Sequence, residues 1–325
     1  MGKEQTLTLA DGRTLAYEQS GNTSSPIVFL FFHGTFGVGD ASNPSPVLAA
    51  KNVHYLAPTL PGWGISSPLP AGKPYHVALA EDTTALLNHL YPDNDSLKAI
   101  YVSGGSFGTV PAQMLYGASF ELFPFGRRVK GCIVLAPFSP FRYHTDYTKS
   151  MTLMNYIGVG PPSQYIPFQL LQRTAVLGIR SKVKTQANAE IFLRELLFDK
   201  MEEVERAAFR RWSQGKGKTE EDVVANMAKN VVRSVAASWE GFVGCADVIH
   251  SDWGFRPDAL DTDHTVDRPI LLVASAGDTI APDAMAKWLL TKYPNARYKE
   301  ISGGHIAGVL HVDAIFDEFL AGVQA

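Results

Sequence analysis

Ser106 stands at the centre of Gly104-Gly105-Ser106-Phe107-Gly108, directly after the apolar run Ile100-Tyr101-Val102 and before a helix-like stretch that carries Pro111 in its first turn. A strand, a sharp turn and a helix in succession lift the central hydroxyl to the carboxyl edge of a sheet, over the positive end of a helix dipole. Such a turn needs nearly side-chain-free residues two before and two after its centre, and Gly104 and Gly108 meet that demand. A serine hydroxyl is a poor nucleophile at neutral pH and requires a base, which in turn requires a group to orient it. Gly304-His305 and Gly277-Asp278 offer those residue types, each in a loop that follows a strand-like run. Gly-x-Ser-x-Gly also occurs in glycine-rich loops without chemistry, and a loop histidine or aspartate is often only structural. The signal lies in the order serine, acid, histidine along the chain.

The elements that must position these residues are readable from periodicity. Thr6 to Leu9 and Arg13 to Gln19 flank Asp11-Gly12 as a hairpin of two antiparallel edge strands. Pro26 to Phe32 is a continuous apolar run, as a strand buried on both faces requires, and it stops at His33-Gly34-Thr35-Phe36-Gly37. Val53 to Pro58, the serine strand, Val129 to Leu135, Pro269 to Ala274 and Ala296 to Ile301 are further strands. Tyr75 to Leu90 has apolar residues at helical spacing, and helices over Asp283 to Thr291 and Ala307 to Ala321 complete the alternation. The fold class is therefore α/β: a mostly parallel twisted sheet with helices on both faces. From Phe138 to Asp263 the alternation gives way to helical patterns, one over Asn188 to Gln214 and one opened by Thr219 and Asp222 as a capping box.

The chain has 325 residues, 46% hydrophobic and 19% charged, with a formal net charge of -3. That balance gives no support for binding nucleic acid or an anionic membrane. The segment Met1 to Thr6 lacks the apolar core of a signal peptide, which points to the cytoplasm. Cys132 and Cys245 are too few for a disulfide framework and read as reduced packing residues. No cofactor and no metal is expected; the partner is a small-molecule substrate, and the chain is a monomer or homodimer.

Five motifs in one order make the chain resemble the α/β-hydrolase superfamily over essentially its whole length: His33-Gly34, Gly62-x-Gly64-x-Ser66, the serine turn, Gly277-Asp278-x-x-x-Pro282 and Gly304-His305. The resemblance implies a core of residues 1–137 and 264–325 with a helical cap inserted at 138–263. It implies that Ser106 is the nucleophile, His305 the base and Asp278 the residue that orients it. It places the oxyanion hole at the backbone N–H of Phe107 and that of Thr35 or Phe36. His33 is expected to organise its loop. The aromatic residues of Phe138 to Phe168, with Phe36, Trp63 and Phe107 in the loops, have two readings: an apolar pocket, with His33, Trp63, Phe138 and Tyr143 as its candidate residues, or packing of the cap against the core, which is the more common use of such residues.

The sequence departs from the family pattern in three places. Thr59 replaces an aspartate common in the loop after the fourth strand; that residue usually braces loops. His-Gly-Thr-Phe-Gly replaces the His-Gly-Gly-Pro-Gly of prolyl iminopeptidases, whose serine turn is otherwise similar. Serine rather than aspartate at the nucleophile position disfavours epoxide-hydrolase and haloalkane-dehalogenase chemistry. The leading expectation is a serine hydrolase acting on a carboxylic ester or lactone of a small, apolar or aromatic molecule. Hydrolysis of a carbon–carbon or amide bond by the same triad is the first alternative, and a non-hydrolytic ligand-binding member of the fold the second.

Overall fold

The computed structural model describes residues 3–323; Met1 and Gly2, part of the amino-terminal segment read above, lie outside them. Eight strands form one sheet: β1 (Gln5–Thr8), β2 (Thr14–Gly21), β3 (Ile27–Phe32), β4 (His54–Pro58), β5 (Ala99–Gly105), β6 (Val129–Leu135), β7 (Ile270–Ser275) and β8 (Ala296–Ile301). Their spatial order is β1-β2-β4-β3-β5-β6-β7-β8. Only β2 runs against the others, because β1 and β4 both pair with it in antiparallel fashion while every remaining pairing is parallel. The expectation of two edge strands in the hairpin is corrected here. β1 alone is the edge on that side; β2 is interior, and its run Leu15 to Glu18 is buried.

The order matters for the site. From β3 the chain crosses to β4 on one side, and from β4 it returns past β3 to β5 on the other. The loops leaving β3 and β5 thus diverge from adjacent strand ends, and a crevice opens between them at the carboxyl edge. The pairing of Phe32 with Gly104 puts His33-Gly34 and the serine turn side by side.

Helices cover both faces. α1 (Pro46–Ala50) precedes β4, α2 (Tyr75–Leu90) precedes β5, and α3 (Thr109–Gly117) follows the serine. Between β6 and β7 the described chain is helical only: α4 (Leu153–Val159), α5 (Pro162–Tyr165), α6 (Leu170–Ile179), α7 (Gln186–Leu193), α8 (Glu203–Gly215), α9 (Glu220–Val235), α10 (Glu240–His250) and α11 (Thr262–Thr265). α12 (Asp283–Leu290) and α13 (Ala307–Phe319) close the fold. No helix among the described residues is long and apolar enough to cross a membrane.

The single helix expected over Asn188 to Gln214 is in fact two, separated by a π-turn at Arg194–Phe198. In a straight helix Phe198 and Phe209 would lie roughly 16 Å apart along the axis. Here their ring centroids are 5.2 Å apart and both rings are buried. Folding the chain back to bury that pair outweighs helical continuity, and Val204 is left 78% exposed instead of joining an apolar stripe. The capping box does form: the Thr219 hydroxyl accepts from the Asp222 N–H, and the Asp222 carboxylate from the Thr219 N–H.

The sheet separates two apolar cores. One packs α2, α3 and α12 against Leu30, Val102 and Leu272; the other packs α1 and α13 against Phe29, Ile133 and Val273. Phe29 is fully buried, with its ring centroid 4.7 Å from that of Phe316 on α13, the helix that follows His305. Truncation of such a side chain costs about 3–5 kcal/mol. Phe29→Ala is therefore expected to shift the urea midpoint strongly downward; a midpoint within error of the parent protein would show that α13 is anchored by other contacts.

Candidate active site

Ser106 has φ +53°, a left-handed conformation unusual for a residue with a side chain. Two close approaches force it. A Cβ on Gly104 would lie 2.1 Å from the carbonyl oxygen of Gly108, and a Cβ on Gly108 would lie 2.1 Å from that of Phe32. A side chain at Gly104 would push the start of α3 away from β5, and one at Gly108 would push the turn off the end of β3. Gly105 is different: a Cβ there would meet only the Phe31 ring, at 3.8 Å.

The turn delivers the serine hydroxyl to a histidine. Ser106 Oγ and His305 Nε2 are 2.8 Å apart, and His305 Nδ1 and Asp278 Oδ2 are also 2.8 Å apart. The proton positions follow from the surroundings. Asp278 Oδ1 accepts from the N–H groups of Ile280 and Ala281, at 2.8 and 2.9 Å, which leaves Oδ2 as an acceptor for the ring. Nδ1–H therefore donates to Asp278, and Nε2 is free to accept from the serine hydroxyl. The Asp278 side chain is fully buried, so the pair is shielded from water. The acid and histidine loops are also joined directly, by Gly277 N–H to the Gly303 carbonyl at 3.0 Å.

The loop after β3 lies against the serine. A Cβ on Gly34 would stand 3.2 Å from Ser106 Cβ. Gly37 N–H donates to the Gly34 carbonyl at 3.1 Å, and Phe36, third in that turn, has φ +59°. Neither Thr35 nor Phe36 donates its N–H to another group among the described residues, and Phe107 N–H belongs to a helix start, where backbone donors lack intrahelical partners. The Phe36 ring is held by Trp63, Phe192, Trp239 and Phe242, with centroids 5.0 to 6.3 Å away.

His33 is a brace. Its Nε2 accepts from Leu60 N–H at 2.9 Å, so Nδ1 carries the proton and donates to the Gly34 carbonyl at 2.8 Å. Burial pushes its pKa down to about 4. Thr59 braces the same loop by accepting from Gly39 N–H at 2.9 Å.

A cavity of about 530 Å³ opens from Ser106 and His305 and includes His33, Thr35 and Phe36 in its wall. Its floor is apolar, formed by Phe31, Leu135, Val273 and Ile301 at the strand ends, with Val309 of α13 beside them. Phe192 and Leu196 near α7, with Met227 and Val231 of α9, form the roof. Three of the four expected pocket residues are not in this wall. Trp63 is buried beside His33 and Phe36, under Gly241 of α10. Phe138 packs on Phe141, with its backbone held by Thr109 and Gln113. Tyr143 lies under the Arg256 guanidinium, 5.6 Å from its carbon. At these three positions the aromatic rings serve packing, the commoner of the two uses of such residues.

Two further histidines are engaged elsewhere: His264 stacks on Phe120 and contacts Asp261, and His250 contacts the Val159 carbonyl. Both cysteines are free and buried, and burial holds their thiols protonated. Among the described residues no group of three or more His, Cys, Asp or Glu side chains is arranged to hold a metal.

The sequence profile of the alpha/beta hydrolase family matches residues 27–319. The chain belongs to that family. Among solved structures it is similar to a hydrolase from Pseudomonas aeruginosa PA01, at 17% identity over 99% of each chain with a TM-score of 0.59. It is also similar to an esterase from Exiguobacterium antarcticum, at 13% identity over 99% of this chain and 100% of that one, TM-score 0.62. A thermophilic esterase from Thermogutta terrifontis aligns at 18% identity over 99% of this chain and 100% of that one, TM-score 0.55. At such identities the likeness concerns the fold. No curated protein matches the sequence significantly.

The His33 brace has a pH consequence. The ring is neutral in the fold with a pKa near 4, against an ordinary value of 6.5, so the unfolded chain takes up its proton first as pH falls. The stability contributed by the neutral ring is present above pH 6.5 and lost as pH falls towards 4. His33→Gln should be less stable than the parent at pH 7, with a difference that shrinks across that window in denaturant titrations. A difference independent of pH would place the proton uptake on other groups.

Proposed function

We propose that the protein is a serine hydrolase that cleaves a carboxylic ester or lactone of a small apolar or aromatic molecule through an acyl-enzyme on Ser106. The observation that carries this reading is the unbroken path from Ser106 Oγ through His305 to Asp278, with 2.8 Å at each step. As Oγ bonds to the substrate carbonyl carbon, its proton passes to His305 Nε2. Asp278 keeps the ring in the required tautomer and stabilises the imidazolium, without taking the proton itself.

The carbonyl oxygen becomes an oxyanion within reach of Phe107 N–H and of Thr35 or Phe36 N–H, the donors without backbone partners. Collapse of the tetrahedral intermediate breaks the bond to the alcohol oxygen, which leaves with the proton from His305. A water then attacks the acyl carbon with His305 as base, releasing the acid and restoring Ser106. The apolar floor of the cavity supports an acyl or alcohol group of hydrocarbon character, and its volume of about 530 Å³ suits a small molecule.

A fluorophosphonate is expected to label Ser106 in the parent protein and to leave Ser106→Ala unlabelled. The parent should hydrolyse p-nitrophenyl esters, faster with an apolar acyl chain longer than acetyl. Asp278→Asn should lower kcat by about 10⁴-fold, the loss that follows from the wrong imidazole tautomer. Ester turnover retained by Ser106→Ala would overturn the reading.

A further inference from the structure

The helices between β6 and β7 are bonded to the loops that carry the site. On α4, Asn155 Nδ2 donates to the carbonyls of Thr279 and Ile280, in the turn that follows Asp278. On α10, Gly241 N–H donates to the Gly62 carbonyl at 3.0 Å. On α8, Glu205 Oε1 accepts from Gly304 N–H at 2.8 Å. Of these three ties only the last reaches the residue immediately before His305.

That tie completes a two-sided grip. The Gly303 carbonyl accepts from Gly277 N–H in the acid loop, and the N–H of the same peptide group, that of Gly304, donates to Glu205. Beyond His305, Ala307 N–H returns to the Gly304 carbonyl at 3.1 Å and α13 begins. The carboxylate sits directly on this backbone: a Cβ on Gly303, whose φ is +110°, would come within 2.6 Å of Glu205 Oε1. Glu205 also has arginines on its own helix as available partners, yet it pairs with none of them. Arg206 pairs with Asp199, and Arg210 lies near Glu203 and Glu220. The side chain is committed to one backbone N–H across the helix–core boundary, as a charge-assisted hydrogen bond.

We propose that Glu205 is a positioning residue that sets the path of the backbone into His305 and so holds the imidazole in line with Ser106. This rests on the reading of His305 as the general base. Its consequence is that seating α8 on the core and aligning the triad are coupled: Lys216 at the end of α8 pairs with Asp313 of α13, and the Glu205 hydrogen bond carries that seating to the backbone before His305. Proton transfer requires hydrogen-bond distance, and a displacement of about 1 Å at a catalytic group costs up to about a hundredfold in rate.

The test compares Glu205→Ala, Glu205→Asp and Glu205→Gln in the full chain, measuring ester kcat and KM, the rate of fluorophosphonate labelling and the thermal midpoint. Glu205→Ala loses the acceptor, and Glu205→Asp withdraws it by one methylene while keeping the charge. Both should lower kcat and the labelling rate about tenfold or more, with KM changed less than about twofold. Glu205→Gln keeps an acceptor oxygen and should recover kcat to within about threefold of the parent. If Glu205→Ala fails to fold, the contrast between Asp and Gln decides. Parent-like kcat and labelling in Glu205→Asp, or no recovery in Glu205→Gln, overturns the proposal. If the parent protein itself is not labelled at Ser106, the failure lies with the hydrolase reading; if it is labelled and the variants match it, only the role of Glu205 fails.

Discussion

The backbone of Ser106 is held in a left-handed conformation that costs a residue with a side chain on the order of 1–3 kcal/mol, and the fold sustains it by bringing three chain segments into contact at one point. Gly104 is the next-to-last residue of β5, Gly108 caps the start of α3, and Phe32 ends β3; Gly104 meets Gly108, and Gly108 meets the Phe32 carbonyl, more closely than any Cβ would allow. If that contact were lost, the hydroxyl would leave the sheet edge and the loop after β3 would lose the surface it rests on. The strain is thus met by the burial of β3 and β5 on both faces, in the two cores that flank the sheet. The elbow is stiff because its neighbours are close-packed.

From this point the remaining groups are placed by parallel pairing. β7 and β8 are adjacent, so the loops after them lie side by side and are joined by Gly277 and Gly303. Asp278 spends one oxygen on two backbone N–H groups and keeps the other for His305, which fixes both the carboxylate and the tautomer of the ring. His33 does the equivalent for the loop after β3, with both ring nitrogens committed to backbone. Each polar group near Ser106 is therefore oriented by a neighbour that does not react. That is the arrangement in which electrostatic stabilisation of a transition state needs little reorganisation.

The helices inserted between β6 and β7 belong to the site as much as the sheet does. α7 and α9 roof the cavity, while the rings of Trp239 and Phe242 hold Phe36 in its strained turn. The ion pair of Arg233 with Glu18 and the hydrogen bond that Asn230 donates to Asp40 fix α9 to the core near the same loop. The cavity takes its apolar character from both layers, since Phe31 and Val273 come from strand ends and Met227 and Val231 from α9.

Much of this was legible in the residues alone. Strand and helix positions follow from hydrophobic periodicity, which is local, and the glycine spacing around Ser106 is a steric requirement that needs no knowledge of distant contacts. The order of Ser106, Asp278 and His305 was readable because parallel strands send their following loops to one edge. What remained hidden depends on which surfaces meet. The break that follows the π-turn at Arg194–Phe198 arises because Phe198 finds Phe209, a contact that no helical repeat encodes. Trp63, Phe138 and Tyr143 were drawn to the pocket by residue type, whereas the tertiary packing turns them to Phe36, Phe141 and Arg256. Glu205 carries no motif: it is one of several charges on an amphipathic helix, and only the docking of α8 against the histidine loop brings its carboxylate to Gly304. Local sterics and periodicity determined the elements and the chemistry at their ends; the cavity wall and the grip on His305 were decided by long-range packing, in which the identity of a residue says little about its neighbour.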